Sequence, residues 1–375
     1  MYNRLVCRAL DEIGEAGKTI EKRVLIATDH ESDVSGPAAE FSTVTLEACG
    51  GKRLRFIGRA IGLALRHHVD VMLIGHVNYA SLGLLVKCLR PGMRYGVIVY
   101  GIDVWTRLSM VKRRALRGAD FIGSISEYTK QKVVEVQGVA PNRVHVLSNT
   151  IEWLRPHRET SARDHTEIRA LPEGPRLLSV CRLDERERYK GVDTMISALP
   201  AVIERVPDVQ YVVVGSGSDL DRHKLLAEQL GVGGQVHFVG SVDEATLQHH
   251  YRECDVFALP SDGEGFGIVY LEAMYYGKPV IAANSRAVPE VVKHDETGLL
   301  IEYGQIDRLA EALVTLCIDP AMRERMGRAG RKLLQEKFTF ERFKRELHEL
   351  ILESAPPGLP SDSHPIARGM VSADL

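Results

Sequence analysis

Nine short runs rich in valine and isoleucine recur along this chain with helical patterns between them. They are Val24–Ala27, Val69–Ile74, Gly96–Val99, Val144–Leu147, Leu177–Val180, Val209–Val214, Val236–Val239, Val256–Leu259 and Val280–Ala283. The runs are continuously apolar, as strands buried on both faces must be. Strands that alternate with helices of about ten or more residues build βαβ units and mainly parallel sheets. The fold class is therefore α/β. At 375 residues the chain exceeds what one hydrophobic core usually serves, so two domains are expected.

The runs fall into two sets separated by a polar stretch that carries Pro156, Pro172 and Pro175 and no period of its own. This places a linker at 156–175 between a domain at 1–155 and a second at 176–339. Phe340–Leu352 has apolar residues at 340, 343, 347, 350 and 351, the spacing of an amphipathic helix, and is expected to pack back on the first domain. Residues 355–375 begin "APPGLPSDSHP" and are expected to be a disordered tail.

Charge is uneven. Residues 1–150 hold 21 Lys and Arg against 14 Asp and Glu, a net of +7, and the remainder holds 27 against 36, a net of −9. A basic half suits an anionic acceptor or membrane surface, and a solvated pattern without function is the alternative. The stretches Lys52–Arg66 and Arg107–Arg117 join several cations to apolar residues, which fits either a membrane-facing helix or an ordinary helix with its apolar side in the core. No apolar run is long enough to cross a bilayer. The six cysteines are scattered without a CxxC pair, which argues against a zinc site and fits a reducing cytosol. The expected location is cytoplasmic, with peripheral attachment at the inner membrane face; nothing points to nucleic acid.

The chemistry concentrates in two segments. In "DGEGFGIVYLEAM", residues 262–274, Glu264 and Glu272 stand eight positions apart around a glycine-softened helix start. Helix N-termini present unpaired amides and a partial positive charge, a seat for phosphate. Carboxylates beside such a seat suit hydroxyl groups better than phosphate, so a nucleotide sugar fits the pair. In "SVCRLDERERYKG", residues 179–191, Arg182 and Lys190 leave the end of a buried strand, where parallel sheets bind ligands. At ~4 Å and an effective dielectric near 20, each cation–phosphate pair is worth ~4 kcal/mol before desolvation. Surface ion pairs with Asp184, Glu185 or Glu187 are the plainer explanation for Arg186 and Arg188, and the alternative one for Arg182 and Lys190. Asp219-Leu220-Asp221 spells a metal-binding DxD, but it opens a helix and reads as capping.

These segments, with "YVVVGSGSD", "VHFVGSVDE", "GKPVIAANSRAVPEVVKHDETGLLIE" and "FTFERFKRELHEL", resemble the retaining glycosyltransferases of family 4, the group 1 glycosyl transferases. The resemblance covers roughly residues 95–352. It implies the GT-B fold, two Rossmann-like domains facing each other across a cleft. It also implies transfer from a nucleotide-diphosphate sugar to a glycan or lipid-linked acceptor, with no metal or other cofactor. Arg182 and Lys190 would hold the diphosphate, Glu264 would contact the transferred sugar near the amides of Gly265, Phe266, Gly267 and Ile268, and Glu272 would bind the ribose. Gly215 and Gly217 would line the phosphate side, and Val242 and Glu244 would border the base. His76, Tyr100 and Asp103 would face the acceptor.

Two departures stand out. Tyr100 occupies a place where the family often has His, and a phenol is no base near neutral pH. The chain opens with "MYNRLVCRALDEIGEAG", of helical period, where the family has a first strand and glycine-rich loop. The N-terminal domain is therefore expected to lack its first strand, to start with helix near residue 2, and to have its earliest strand near Arg23–Thr28. Unpaired backbone groups and an exposed apolar flank should follow, as in a truncated member or a chain begun at an internal start. A phosphorylase or epimerase of the same fold, or a non-catalytic nucleotide-sugar-binding protein, are the alternative functions.

Overall fold

The computed structural model describes residues 2–13, 20–27, 41–67, 69–151, 172–352 and 366–372. The chain divides into two compact units, one of residues 1–152 with 340–375, the other of residues 153–339. Most of the segment read as the linker lies outside the described residues.

Strands β1 (Ile20–Ile26), β2 (Val44–Ala48), β3 (Val69–Ile74), β4 (Arg94–Val99), β5 (Phe121–Ser124) and β6 (Val144–Val146) belong to the first unit. Strands β7 (Arg176–Val180), β8 (Gln210–Val214), β9 (Val236–Gly240), β10 (Val256–Leu259), β11 (Val280–Ala283) and β12 (Gly298–Ile301) form the sheet of the second. All nine apolar runs of the sequence are strands. β2, β5 and β12 escaped because they are short and less uniformly β-branched.

The second sheet is wholly parallel, in the order β12-β11-β10-β7-β8-β9. Order reverses between β7 and β10, so the loops leaving these two neighbours diverge to opposite faces and open a crevice at their C-terminal ends. The core on its faces joins Leu177, Tyr211, Val213 and Ile281 to Met195, Leu199 and Leu313 of flanking helices. This is a Rossmann-like unit.

The first sheet corrects two expectations. Its order is β2-β1-β13-β3-β4-β5-β6, where β13 is Ile366–Ser372, from the stretch read as a disordered tail. β13 runs parallel to β1 from Ile20↔Ile366 to Ile26↔Ser372, and parallel to β3 up to Val371↔Ile74. Helix does begin at Tyr2, and the earliest strand among the described residues is β1. The slot left for a first strand is filled by β13, so the expected unpaired backbone and exposed flank are not found there. An interior slot between two parallel strands offers two ladders of donors and acceptors at once, and that demand outweighs a weak local signal. Residues 353–365 and 373–375 lie outside the description.

The helix Phe340–Leu352 lies in the first unit, with Phe343 and Leu347 fully buried. Its Lys344 pairs with Glu12 at 3.0 Å, and Arg342 donates to the Ser148 carbonyl at 3.1 Å. The two basic stretches form helices whose apolar sides mostly meet the core. Phe56, Ala60 and Ala64 are buried on Arg53–Arg66, as are Ala115 and Leu116 on Met110–Gly118, and Ile57, Ile61 and Leu108 pack against the same cluster. Leu54 and Met110, each 86% exposed, and Val111 at 65% stand away from it. Among the described residues no helix is long and apolar enough to cross a membrane.

A chain ending at residue 365 should therefore lose stability in the first unit, although it lacks only ten residues. A fall in Tm of about 5 °C or more is expected, roughly 2 kcal/mol in a unit of this size. Calorimetry of the truncated and full chains checks it, and equal transitions would show that β13 does not hold the sheet.

Candidate active site

The crevice between β7 and β10 is closed by two loops that the sequence places far apart. The first leaves β7 at Cys181, passes Arg182, forms the 3-10 turn Glu185–Lys190 and enters the helix Val192–Ile203 through Gly191. The second leaves β10 at Pro260 and enters the helix Ile268–Tyr275 through Gly267. Gly191 has φ 79°, and a Cβ there would stand 2.4 Å from the Pro260 carbonyl oxygen. Only glycine allows both that backbone and that approach. The Asp262 amide donates to the Tyr189 carbonyl at 2.8 Å, which ties the loops a second time.

The third tie is the ion pair of Lys190 Nζ with Glu264 Oε1 at 2.7 Å, with both side chains largely buried. Burial works against the Lys190 charge, but the charge and hydrogen bond of Glu264 outweigh it and hold the ammonium above its ordinary range. Arg182 stands apart from this pair: its guanidinium is 78% exposed and binds the Glu187 carboxylate. The surface pairing kept as the alternative for Arg182 is thus the contact it makes, with Glu187.

Glu272 is buried on the helix that follows, 3% exposed. The Tyr251 hydroxyl donates to its Oε2 at 2.7 Å. Burial pushes the Glu272 carboxyl up to about 7; the Tyr251 hydrogen bond pulls the other way, and the charge of Glu244 adds to the rise. Glu244 begins the helix Glu244–Glu253, just after Val242 and the Asp243 cap, whose carboxylate accepts from the Thr246 amide at 2.8 Å. Sequence reasoning missed Tyr251. Nothing in "HHYRECDVF" separates it from any core aromatic.

Gly215 and Gly217 are explained by chain crossing. A Cβ on Gly215 would lie 1.8 Å from the Cys181 carbonyl oxygen, and one on Gly217 would lie 2.2 Å from that of Leu183. They let the loop after β8 run against the loop after β7. The capping role expected for Asp219 is corrected. Asp219 occupies the N-cap position, but its side chain caps no amide. It accepts from Arg222 Nε at 2.8 Å and from Arg188 Nε and Nη2, both at 3.1 Å. Those donors, Arg222 foremost, hold its carboxyl well below the usual range. Two arginines within reach outcompete a single amide. Asp221 is almost fully exposed and pairs with Lys224 at 3.6 Å, so the DxD letters do not converge. Among the described residues no three His, Cys, Asp or Glu side chains are grouped to hold a metal ion.

In the first unit, the three residues assigned to the acceptor side do come together, at the ends of β3 and β4. The His76 and Tyr100 rings stack with centroids 6.1 Å apart. Asp103 Oδ1 accepts from the Tyr100 amide at 3.1 Å, while its buried Oδ2 has no hydrogen-bond partner among the described residues. Burial raises the Asp103 carboxyl, with the charge of His76 and backbone amides opposing. The Asn78 amide donates to His76 Nδ1 at 3.1 Å.

Comparison with known proteins gives these sites a family. The profile of the "Glycosyl transferases group 1" family matches residues 162–333. A GDP-mannose-dependent alpha-(1-6)-phosphatidylinositol monomannoside mannosyltransferase of Mycobacterium tuberculosis is 32% identical over 303 residues, covering 77% of each chain. Its monoacylated-substrate counterpart from Corynebacterium glutamicum is 33% identical, over 68% of this chain and 69% of that one. An Anabaena protein solved in complex with UDP superposes with a TM-score of 0.72 at 19% identity, over 93% of this chain and 96% of its own. On this identity and coverage the chain belongs to the group 1 glycosyl transferases, and its two Rossmann-like units are those of the GT-B fold.

Proposed function

We propose that the protein is a retaining, metal-independent glycosyltransferase of family 4 type. In this reading it transfers mannose from GDP-mannose to a lipid-linked acceptor of the phosphatidylinositol mannoside class. The observation that carries the reading is the buried Lys190–Glu264 pair across the β7–β10 crevice. It sets a cation and a carboxylate side by side where a parallel sheet takes its ligand. Donor and acceptor class rest on the two mannosyltransferases that share about a third of their residues with this chain.

Lys190 binds the diphosphate and gains most as negative charge builds on the leaving group, so its effect falls on the transition state. Glu264, released from Lys190 by the incoming phosphates, accepts from hydroxyls of the transferred sugar. The amides from Gly265 to Ile268 lie at the adjoining helix start, and Glu272 accepts from the ribose. Arg182, mobile enough at its exposure to exchange Glu187 for phosphate, supplies the second cation. Retention follows if the leaving diphosphate oxygen takes the acceptor proton on the same face. The protein then contributes position and charge rather than a dedicated base. His76, Tyr100 and Asp103 orient the acceptor, and Tyr100 serves as a hydrogen-bond donor rather than a base.

The basic helices Arg53–Arg66 and Met110–Gly118, with Leu54, Met110 and Val111 projecting, support peripheral docking on the anionic cytoplasmic face of a membrane.

Three outcomes are expected. Labelled GDP-mannose should pass its mannose to a phosphatidylinositol mannoside with the α configuration kept, and EDTA should leave the rate unchanged. Inverted product, or loss of activity restored by magnesium or manganese, overturns this mechanism. Lys190→Ala should lower kcat by more than tenfold, ~1.4 kcal/mol, with a much smaller effect on Tm; a smaller loss of rate removes Lys190 from the chemistry. Sedimentation with phosphatidylserine vesicles should show binding at low salt that high salt reverses, and its absence would leave the two helices as ordinary solvated faces.

A further inference from the structure

Glu272 stands in an environment that a ribose-binding carboxylate does not itself explain. The side chain is 3% exposed, and its single hydrogen bond among the described residues comes from the Tyr251 hydroxyl, to Oε2 at 2.7 Å. Oε1 has no protein partner there. Tyr251 is itself packed in place, and its hydroxyl also lies 3.5 Å from the Val269 carbonyl. It is fully buried and stacks on Phe257 at 5.6 Å and 27° and on Tyr276 at 6.1 Å and 9°. Arg252 in turn lies over the Tyr276 ring, 5.5 Å from its centre. A donor so placed aims at one carboxylate oxygen and leaves the other free. Tyr251 also stands two turns along the helix that Glu244 begins, so the same element borders the proposed base pocket and holds Glu272.

We propose that Tyr251 is a positioning residue for donor recognition: its phenol fixes the Glu272 carboxylate so that Oε1 is presented to the vicinal diol of a nucleoside diphosphate. This rests on the reading of Glu272 as the ribose ligand. The physical reason is that a long, flexible carboxylate in a poorly solvated site gains little from a diol unless its rotamer is already set. A hydroxyl bonded to a carboxylate in a low-dielectric site is also among the stronger neutral-to-charged hydrogen bonds.

The phenol has a second effect with a separate signature. The titratable groups that act on Glu272 are Tyr251 and Glu244, and the Glu272 charge in turn raises the Tyr276 phenol. Burial and the Glu244 charge favour the protonated acid, and the Tyr251 hydrogen bond favours the carboxylate. Diol binding, which needs the acceptor form, should therefore strengthen as pH rises through about 7. Removal of the phenol oxygen should move that midpoint to higher pH.

Titration calorimetry of the full chain with GDP and UDP, each beside its 2′,3′-dideoxy counterpart, tests the proposal. The nucleotide that binds more tightly is carried forward. The wild type should favour the ribose form by about tenfold or more, ~1.4 kcal/mol. Tyr251→Phe keeps both ring stacks and should remove most of that preference while leaving affinity for the dideoxy form unchanged. Glu272→Gln should do the same, and adding Tyr251→Phe to it should have no further effect. If Glu272→Gln removes the preference and Tyr251→Phe leaves it intact, or weakens both forms equally, the role of Tyr251 is overturned while that of Glu272 stands. If Glu272→Gln leaves the preference intact, the ribose reading falls and this proposal with it. Should Tyr251→Phe fail to fold, a difluorinated tyrosine installed at 251 keeps the shape and strengthens the donor. The pH midpoint for the ribose preference should then move down, and an unmoved midpoint overturns the proposal.

Discussion

A parallel sheet leaves no interior strand optional, because each one satisfies two neighbours along their whole length. In the first unit that constraint reaches across the entire chain. β1 and β3 stand on either side of a slot that Ile366–Ser372 occupies, so the last strand of the chain lies between two of its first three. In the first sheet the strands run outward on either side of β13, β1 to β2 on one flank and β3 to β6 on the other, and in the second the order reverses between β7 and β10. In the second sheet the loops leaving β7 and β10 diverge at the C-terminal edge, where the candidate residues Lys190 and Glu264 stand.

Within the second unit, geometry at the reversal converts separate loops into one site. The Gly191–Pro260 approach, the Asp262–Tyr189 hydrogen bond and the Lys190–Glu264 pair reinforce each other. Behind them, Asp219 gathers Arg188 and Arg222, and Arg222 also reaches Asp193 at 2.9 Å on the helix after Gly191. These charges lie under the turn that carries Lys190 and satisfy one another. The Lys190 ammonium itself has Glu264 as its partner, a pair that an anionic ligand can rearrange. A buried ion pair contributes little net stability after desolvation, so its value here lies in a ready exchange of partners.

Glu272 follows a different logic. Its side chain is 3% exposed and receives one hydrogen bond among the described residues, and burial pushes its carboxyl up to about 7. On the proposed reading, the diol hydroxyls donate to the carboxylate oxygen that Tyr251 does not bond. Aromatic packing by Phe257, Tyr251 and Tyr276 produces both the burial and the aim.

The order of residues by itself determined the class of fold, the two sets of strands and the block that holds Glu264 and Glu272. Those features depend on local periodicity and on short-range spacing, which a linear reading sees directly. The family resemblance, rather than the runs, assigned His76, Tyr100 and Asp103 to one side. Tertiary structure alone decided the rest. It inserted a polar-looking tail as a core strand, since backbone pairing in an open slot does not register in composition. It joined Lys190 to Glu264 across 74 positions and Tyr251 to Glu272 across 21. It turned Asp219 from a helix cap into the anchor of two arginines. Each of these depends on which elements become neighbours in the sheet, and neighbourhood is a property of the assembled strands rather than of any stretch of sequence.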